Sequence, residues 1–173
     1  MKQLYSELQW LPRAAEDFSA RVKAIGAAEG PVGGLIRELA STGLDLNQLT
    51  KLAKAIEKAR AAGKSLEPLI PFKLAILSNS TIDLVAPTMV ASAARHGIAL
   101  EVIQPSYDQV AQEALTPDSK VNQSKPNAVL FAIDYPYELT AEAVEFLRTA
   151  PYAPADLDRI AHGNAERILR LDR

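Results

Sequence analysis

An unbroken apolar run, Leu74-Ala75-Ile76-Leu77, stands near the middle of the chain and passes directly into the polar Ser78-Asn79-Ser80-Thr81. A run without alternation predicts a strand covered on both faces, and the four polar residues predict a turn. Beyond the turn, Leu84, Val85, Val90, Ala93 and Ala94 recur at helical spacing as far as Gly97, which stands where a C′ residue adopts φ > 0. Pro87 fits this helix only within its first turn, where a missing N–H costs little. A second strand is predicted over 98–103. Ser106 and Gln109 have capping-box spacing ahead of a helix carrying Val110, Ala111, Ala114 and Leu115. Residues 116–127, with Pro117 and Pro126, read as a loop. The third strand, 128–133, reads AVLFAI and ends at Asp134. Strands alternating with helices predict parallel βαβ units, here three strands in the order 2-1-3.

Ahead of this unit the period is helical throughout. Segments 14–25 and 32–40 are bounded by Pro12, Gly26, Pro31 and Gly43. A third helix opens on Asp45 with Gln48 three positions on, repeats Leu49, Leu52, Ala53 and Ile56, and ends at Gly63. Glu57, Lys58 and Arg60 read as its solvated face. Residues 1–12 are too apolar for a free tail, and Trp10 is expected to anchor them as a packed arm. Residues 65–72, with Pro68 and Pro71, read as a connector. After the third strand Thr140 is expected to cap a helix with Ala143, Val144 and Leu147 inward, followed by short helices at 155–161 and 164–171. The predicted organisation is a helical segment 1–66, an α/β core 67–135 and a helical tail 136–173.

Composition narrows the function classes. The 173 residues are 48% hydrophobic and 23% charged, ordinary for a globular chain, with a net charge of −2. That charge predicts no bulk attraction to nucleic acid or anionic membrane. No cysteine is present, which excludes disulfides, thiolate metal sites and a Cys nucleophile. No apolar run approaches the roughly 20 residues of a membrane span, no basic-then-apolar leader is seen, and a cytoplasmic setting is expected. The glycines form neither GxGxxG nor a P-loop.

Several blocks, in order, resemble the N-terminal region of the FkbH-like proteins. They are Trp10-Leu11-Pro12-Arg13, Leu44-Asp45-Leu46-Asn47-Gln48-Leu49-Thr50, Pro71-Phe72-Lys73-Leu74 with the Ser78–Thr81 turn, Ala94-Arg95-His96-Gly97-Ile98, Tyr107-Asp108-Gln109-Val110, and Leu130 to Tyr135. The resemblance covers about residues 1–135. It implies a flavodoxin-like or SGNH-like domain placed before a phosphatase-type domain that works with an acyl carrier protein in loading three-carbon units. The catalytic Asp-x-Asp motif of that second domain is read as absent, so phosphoryl or glyceryl transfer is not expected of this chain. From about 130 onward, Asp134-Tyr135-Pro136-Tyr137-Glu138, 140–150 and Ile160-Ala161-His162-Gly163-Asn164-Ala165 resemble the closing segment of amidohydrolase-type TIM-barrel decarboxylases. There the aspartate matched by Asp134 is a metal ligand. The two resemblances meet in the third strand, as in a recombined chain.

Candidate chemistry follows from both. The Ser78-Asn79-Ser80-Thr81 turn is the candidate ligand-binding site, since α/β folds bind ligands beyond the carboxyl ends of their strands. Ser80 stands where SGNH hydrolases place their nucleophile, and such a serine needs a histidine base held by a carboxylate. His96 and His162 are the two histidines, and Asp158 and His162 are four apart, an ordinary helical spacing. The reading is an α/β fold with a helical N-terminal segment, a small parallel three-layer flavodoxin-like or SGNH-like sheet and a helical tail, serving as a non-catalytic fold or interaction module. The alternatives are a weak SGNH-like esterase using Ser80 and a metal-dependent hydrolase or decarboxylase remnant centred on Asp134. No cofactor is expected. Expected partners are a second copy of the chain, through the apolar third-strand edge, and, by resemblance alone, an acyl carrier protein.

Overall fold

A computed structural model describes residues 10–78, 81–105, 109–132, 140–149, 151 and 153–158. The described residues form α1 (Phe18–Ala27), α2 (Gly33–Ala40), α3 (Leu46–Ala61), β1 (Ile70–Ser78), α4 (Val85–Arg95), β2 (Ile98–Ile103), α5 (Val110–Leu115), α6 (Lys120–Ser124), β3 (Ala128–Ala132), α7 (Thr140–Thr149) and α8 (Pro154–Asp158). The strands form one sheet in the order β2-β1-β3, as the sequence predicts, and β1 pairs in parallel with β3, Leu74 opposite Ala128 through Ser78 opposite Ala132. The α/β class is therefore the observed one.

The chain divides into two compact units. One comprises the described residues up to Phe72 together with Ile82–Glu101; the other comprises the described part of Lys73–Thr81 and of the chain from Val102 onward. The helical unit is larger than the segment 1–66 expected from sequence. It takes in α4, because Val90, Ala91 and Ala94 are buried in packing against α2 and α3.

In the helical unit, Ile25, Ile36, Leu52 and Ile56 are wholly enclosed. Asp45 and Gln48 form the expected capping box: the Gln48 N–H donates to Asp45 Oδ1 at 2.8 Å and the Asp45 N–H donates to Gln48 Oε1 at 2.9 Å. Gly63 and Gly97 follow their helices at φ 71° and 79°, where a side chain would be strained. α1 starts later than expected, and Gly26 lies inside it; the helix stops at the extended Ala28, ahead of Gly30-Pro31. Arg21 and Glu38 pair at 2.7 Å between α1 and α2, and this hydrogen bond raises the Arg21 pKa.

Three side chains depart from expectation here and in the tail. Arg60 is half-buried, not solvated, and donates to the carbonyl oxygens of Ala99 and Leu100, the latter at 2.8 Å. Trp10 is 68% exposed, not a buried anchor; its ring carries the Arg95 guanidinium at 5.7 Å, a cation–π contact. Val144 of α7, expected inward, is 40% exposed.

β1 begins at Ile70, inside the predicted connector. Pro71 is tolerated at its second position, where a strand can do without the N–H, and the Ile70 N–H donates to the Gly97 carbonyl at 2.8 Å. In the second unit Ala75, Leu77, Ile103 and Val121 form the buried cluster, with Val110 against it. Val121 belongs to α6, which occupies the middle of the predicted loop. Its cap explains it: Ser119 Oγ accepts from the Asn122 N–H at 3.1 Å and donates to the Glu113 carbonyl at 2.7 Å. Gln109 precedes α5 without a side-chain cap, and Ser106 lies outside the described residues.

Candidate functional site

The predicted site begins where β1 ends. The register that sets Ser78 opposite Ala132 brings the carboxyl ends of β1 and β3 side by side. Ser78 is half-buried and Thr81 is exposed; Asn79 and Ser80 lie outside the described residues, as do Asp134 and His162. His96 is exposed directly after α4, whose 11 residues separate it from Val85 by about 16 Å along the axis. Of the predicted turn, then, the described residues place only its two ends.

The polar groups behind this strand edge are occupied in holding the fold. Lys73 and Asn127 bind one another twice, Lys73 N–H to Asn127 Oδ1 at 2.8 Å and Asn127 N–H to the Lys73 carbonyl at 2.9 Å, which fixes the start of β3 against β1. Lys73 Nζ also donates to the Ser124 carbonyl at 3.2 Å. Glu113 Oε2 accepts from the Val121 N–H at 2.9 Å, while Asn122 Nδ2 donates to the Thr116 carbonyl at 2.9 Å. Ser119, the buried polar residue of the unit, is satisfied by the same set. These bonds seat α6 and carry no reacting group.

Among the described residues no group of three or more His, Asp or Glu side chains could hold a metal ion. An Asp-x-Asp triplet does occur, contrary to the sequence reading: Asp156-Leu157-Asp158. It lies in the short helix α8 and not at the end of a strand. In a helix, residues two apart do not share a face, so the triplet is not arranged as a paired carboxylate site.

A cavity of about 510 Å³ lies in the helical unit, between α1 and α3. Among the described residues five lysines line it: Lys23, Lys51, Lys54, Lys58 and Lys64. Of these the sequence marks Lys58 alone, as part of a solvated face. The signal was the spacing of Lys51, Lys54 and Lys58, which puts three like charges on one side of one helix.

No family model and no curated protein matches this chain. Among solved structures it is similar to the N-terminal part of a Bacteroides fragilis protein, a part containing a phosphatase domain and complexed with Mg, at 17% identity and a TM-score of 0.42. The match covers 72% of this chain and 29% of that one. The amidohydrolase-type resemblance of residues 130–173 finds no support in these comparisons. No described helix is long and apolar enough to cross a membrane.

Proposed function

We propose that this chain is a non-catalytic interaction module that pairs with a second copy of itself through β3. One observation carries the reading: β3 ends the strand order among the described residues, and its Val129 and Leu130 are 37% and 45% exposed. Its sequence, AVLFA, has no charge, proline or glycine to discourage pairing. Successive side chains of a strand leave on opposite faces, so both faces of the sheet are apolar at this edge. The block resemblance of residues 1–135 to FkbH-like proteins supports the non-catalytic half of the reading, because it assigns this chain to the region ahead of their catalytic domain. By the same resemblance an acyl carrier protein is the expected partner of the larger system.

Light scattering coupled to gel filtration tests the pairing. The chain is expected to run at twice its 18.7 kDa at tens of micromolar, and Leu130→Lys, which places a charge on the strand, at its monomer mass. The same preparations are expected to leave short p-nitrophenyl esters unhydrolysed above buffer. A monomeric parent chain, or ester turnover that disappears in Ser80→Ala, contradicts the proposal.

A further inference from the structure

The lysine-lined cleft has a composition that folding does not require. Lys51, Lys54 and Lys58 share one face of α3 and repel one another at i, i+3 and i+7. Among the described residues no acidic side chain lines the cleft. α1 contains none, and Glu57, the carboxylate of α3, is exposed outside the lining. The chain as a whole is net acidic, so five of its 19 cationic residues gathered at one cleft make a local field opposite in sign to the total.

Two of the five have internal partners, and these define the cleft. Lys51 Nζ donates to Ser19 Oγ at 2.7 Å, tying the start of α3 to the start of α1. Lys64 Nζ donates to the Ala28 carbonyl, tying the chain just past α3 to the chain just past α1. The two helices therefore run in the same direction, joined at both ends. Between those ties, the side chains of Lys23, Lys54 and Lys58 have no hydrogen bond or ion pair among the described residues. The floor is apolar and low: Val22 and Ala59 are buried, and a Cβ at Gly26 would meet nothing within 4 Å. A volume of about 510 Å³ is that of a small-molecule site.

We infer that the cleft between α1 and α3 binds a phosphate monoester with an apolar body, its head among Lys23, Lys54 and Lys58 and its body over Val22, Gly26 and Ala59. Near neutral pH such a head carries nearly two negative charges and three acceptor oxygens, matching three ammonium groups with no acidic neighbour among the described lining residues. Inorganic phosphate would meet the charge but leave the floor in water. A neutral apolar molecule would cover the floor while stripping water from unpaired ammonium groups, which is costly.

Calorimetric titration of the full chain with 1-naphthyl phosphate, inorganic phosphate and 1-naphthol tests this. The naphthyl phosphate is expected to bind one per chain, at least tenfold tighter than either of the others, and to weaken as salt is raised. The double variant Lys54→Gln, Lys58→Gln is expected to bind at least tenfold more weakly without a fall in melting temperature, because it removes a repulsion. Gly26→Leu keeps every lysine and fills space over the floor; it is expected to lose affinity to a similar extent. Naphthyl phosphate binding no tighter than inorganic phosphate, no binding at millimolar concentration, or an unchanged affinity in the lysine double variant would each overturn the inference.

Discussion

Gly33→Ala is expected to destabilise the helical unit by about 3 kcal/mol, a large effect for one methyl group. Gly33 opens α2 where the chain at 65–67 passes closest; the Val32 N–H donates to the Ser65 carbonyl at 2.9 Å. A Cβ at Gly33 would fall inside the contact radius of the Leu66 carbonyl oxygen and 2.6 Å from that of Glu67. Both obstacles are backbone, so neither can swing aside as a side chain would. Gly34, one residue on in the same helix, is the control: a Cβ there meets nothing within 4 Å. Gly34→Ala is expected to stabilise by about 0.5–1 kcal/mol through the lower entropy of the unfolded chain. Thermal melts monitored by circular dichroism should thus move in opposite directions for adjacent glycines, with Gly33→Ala lower by roughly 6–12 °C for a chain of this length. Equal melting temperatures for the two variants would show that α2 does not approach 65–67 as described.

Leu52→Ala is the second large effect. Leu52 is wholly enclosed in α3, where deleting a buried leucine side chain costs about 2–5 kcal/mol from lost burial and the cavity left behind. Leu46, at the start of the same helix, is 54% exposed. Leu46→Ala is expected to stay within about 0.5 kcal/mol of the parent. Urea unfolding measures both, and the two midpoints should separate clearly. Comparable losses at the two positions would mean that α3 presents a different face to the core.

The elements that were legible in the sequence are those whose signal is local. Asp45 and Gln48 announce the start of α3 by a reciprocal pair of hydrogen bonds, and Gly63 and Gly97 announce helix ends by needing positive φ. The alternation of apolar runs with helical periods marks the three strands and the helices between them. What escaped was decided by distant parts of the chain. β1 reaches back to Ile70 although Ile70 and Pro71 are exposed, since an apolar-run criterion detects only the covered part of a strand. α6 has five residues in a polar stretch, and only Ser119 ahead of the buried Val121 marked it. Arg60 looked like surface because its acceptors, the carbonyls of Ala99 and Leu100, lie some 40 residues further along. Lys58 of the cleft reads as solvated for a related reason. A stripe of like charge looks the same in sequence whether it faces open water or a second helix, and only the packing of α1 beside α3 separates the two cases.

The central claim, pairing of two copies through β3, is tested most directly by amide hydrogen exchange measured over a range of protein concentration. Lys73 of β1 turns both its N–H and its carbonyl toward Asn127, just ahead of β3. Backbone groups alternate sides along a strand, so Ala75 and Leu77 also face β3; with Ala75 opposite Val129 and Leu77 opposite Phe131, the N–H groups of Leu130 and Ala132 face β1, while those of Val129 and Phe131 face away from it. Pairing predicts that the amides of Val129 and Phe131 exchange freely in dilute solution and become protected as concentration rises, with those of Leu130 and Ala132 protected throughout. Protection of Val129 and Phe131 that does not change between micromolar and millimolar protein would contradict the account, whether those amides are always open or always closed.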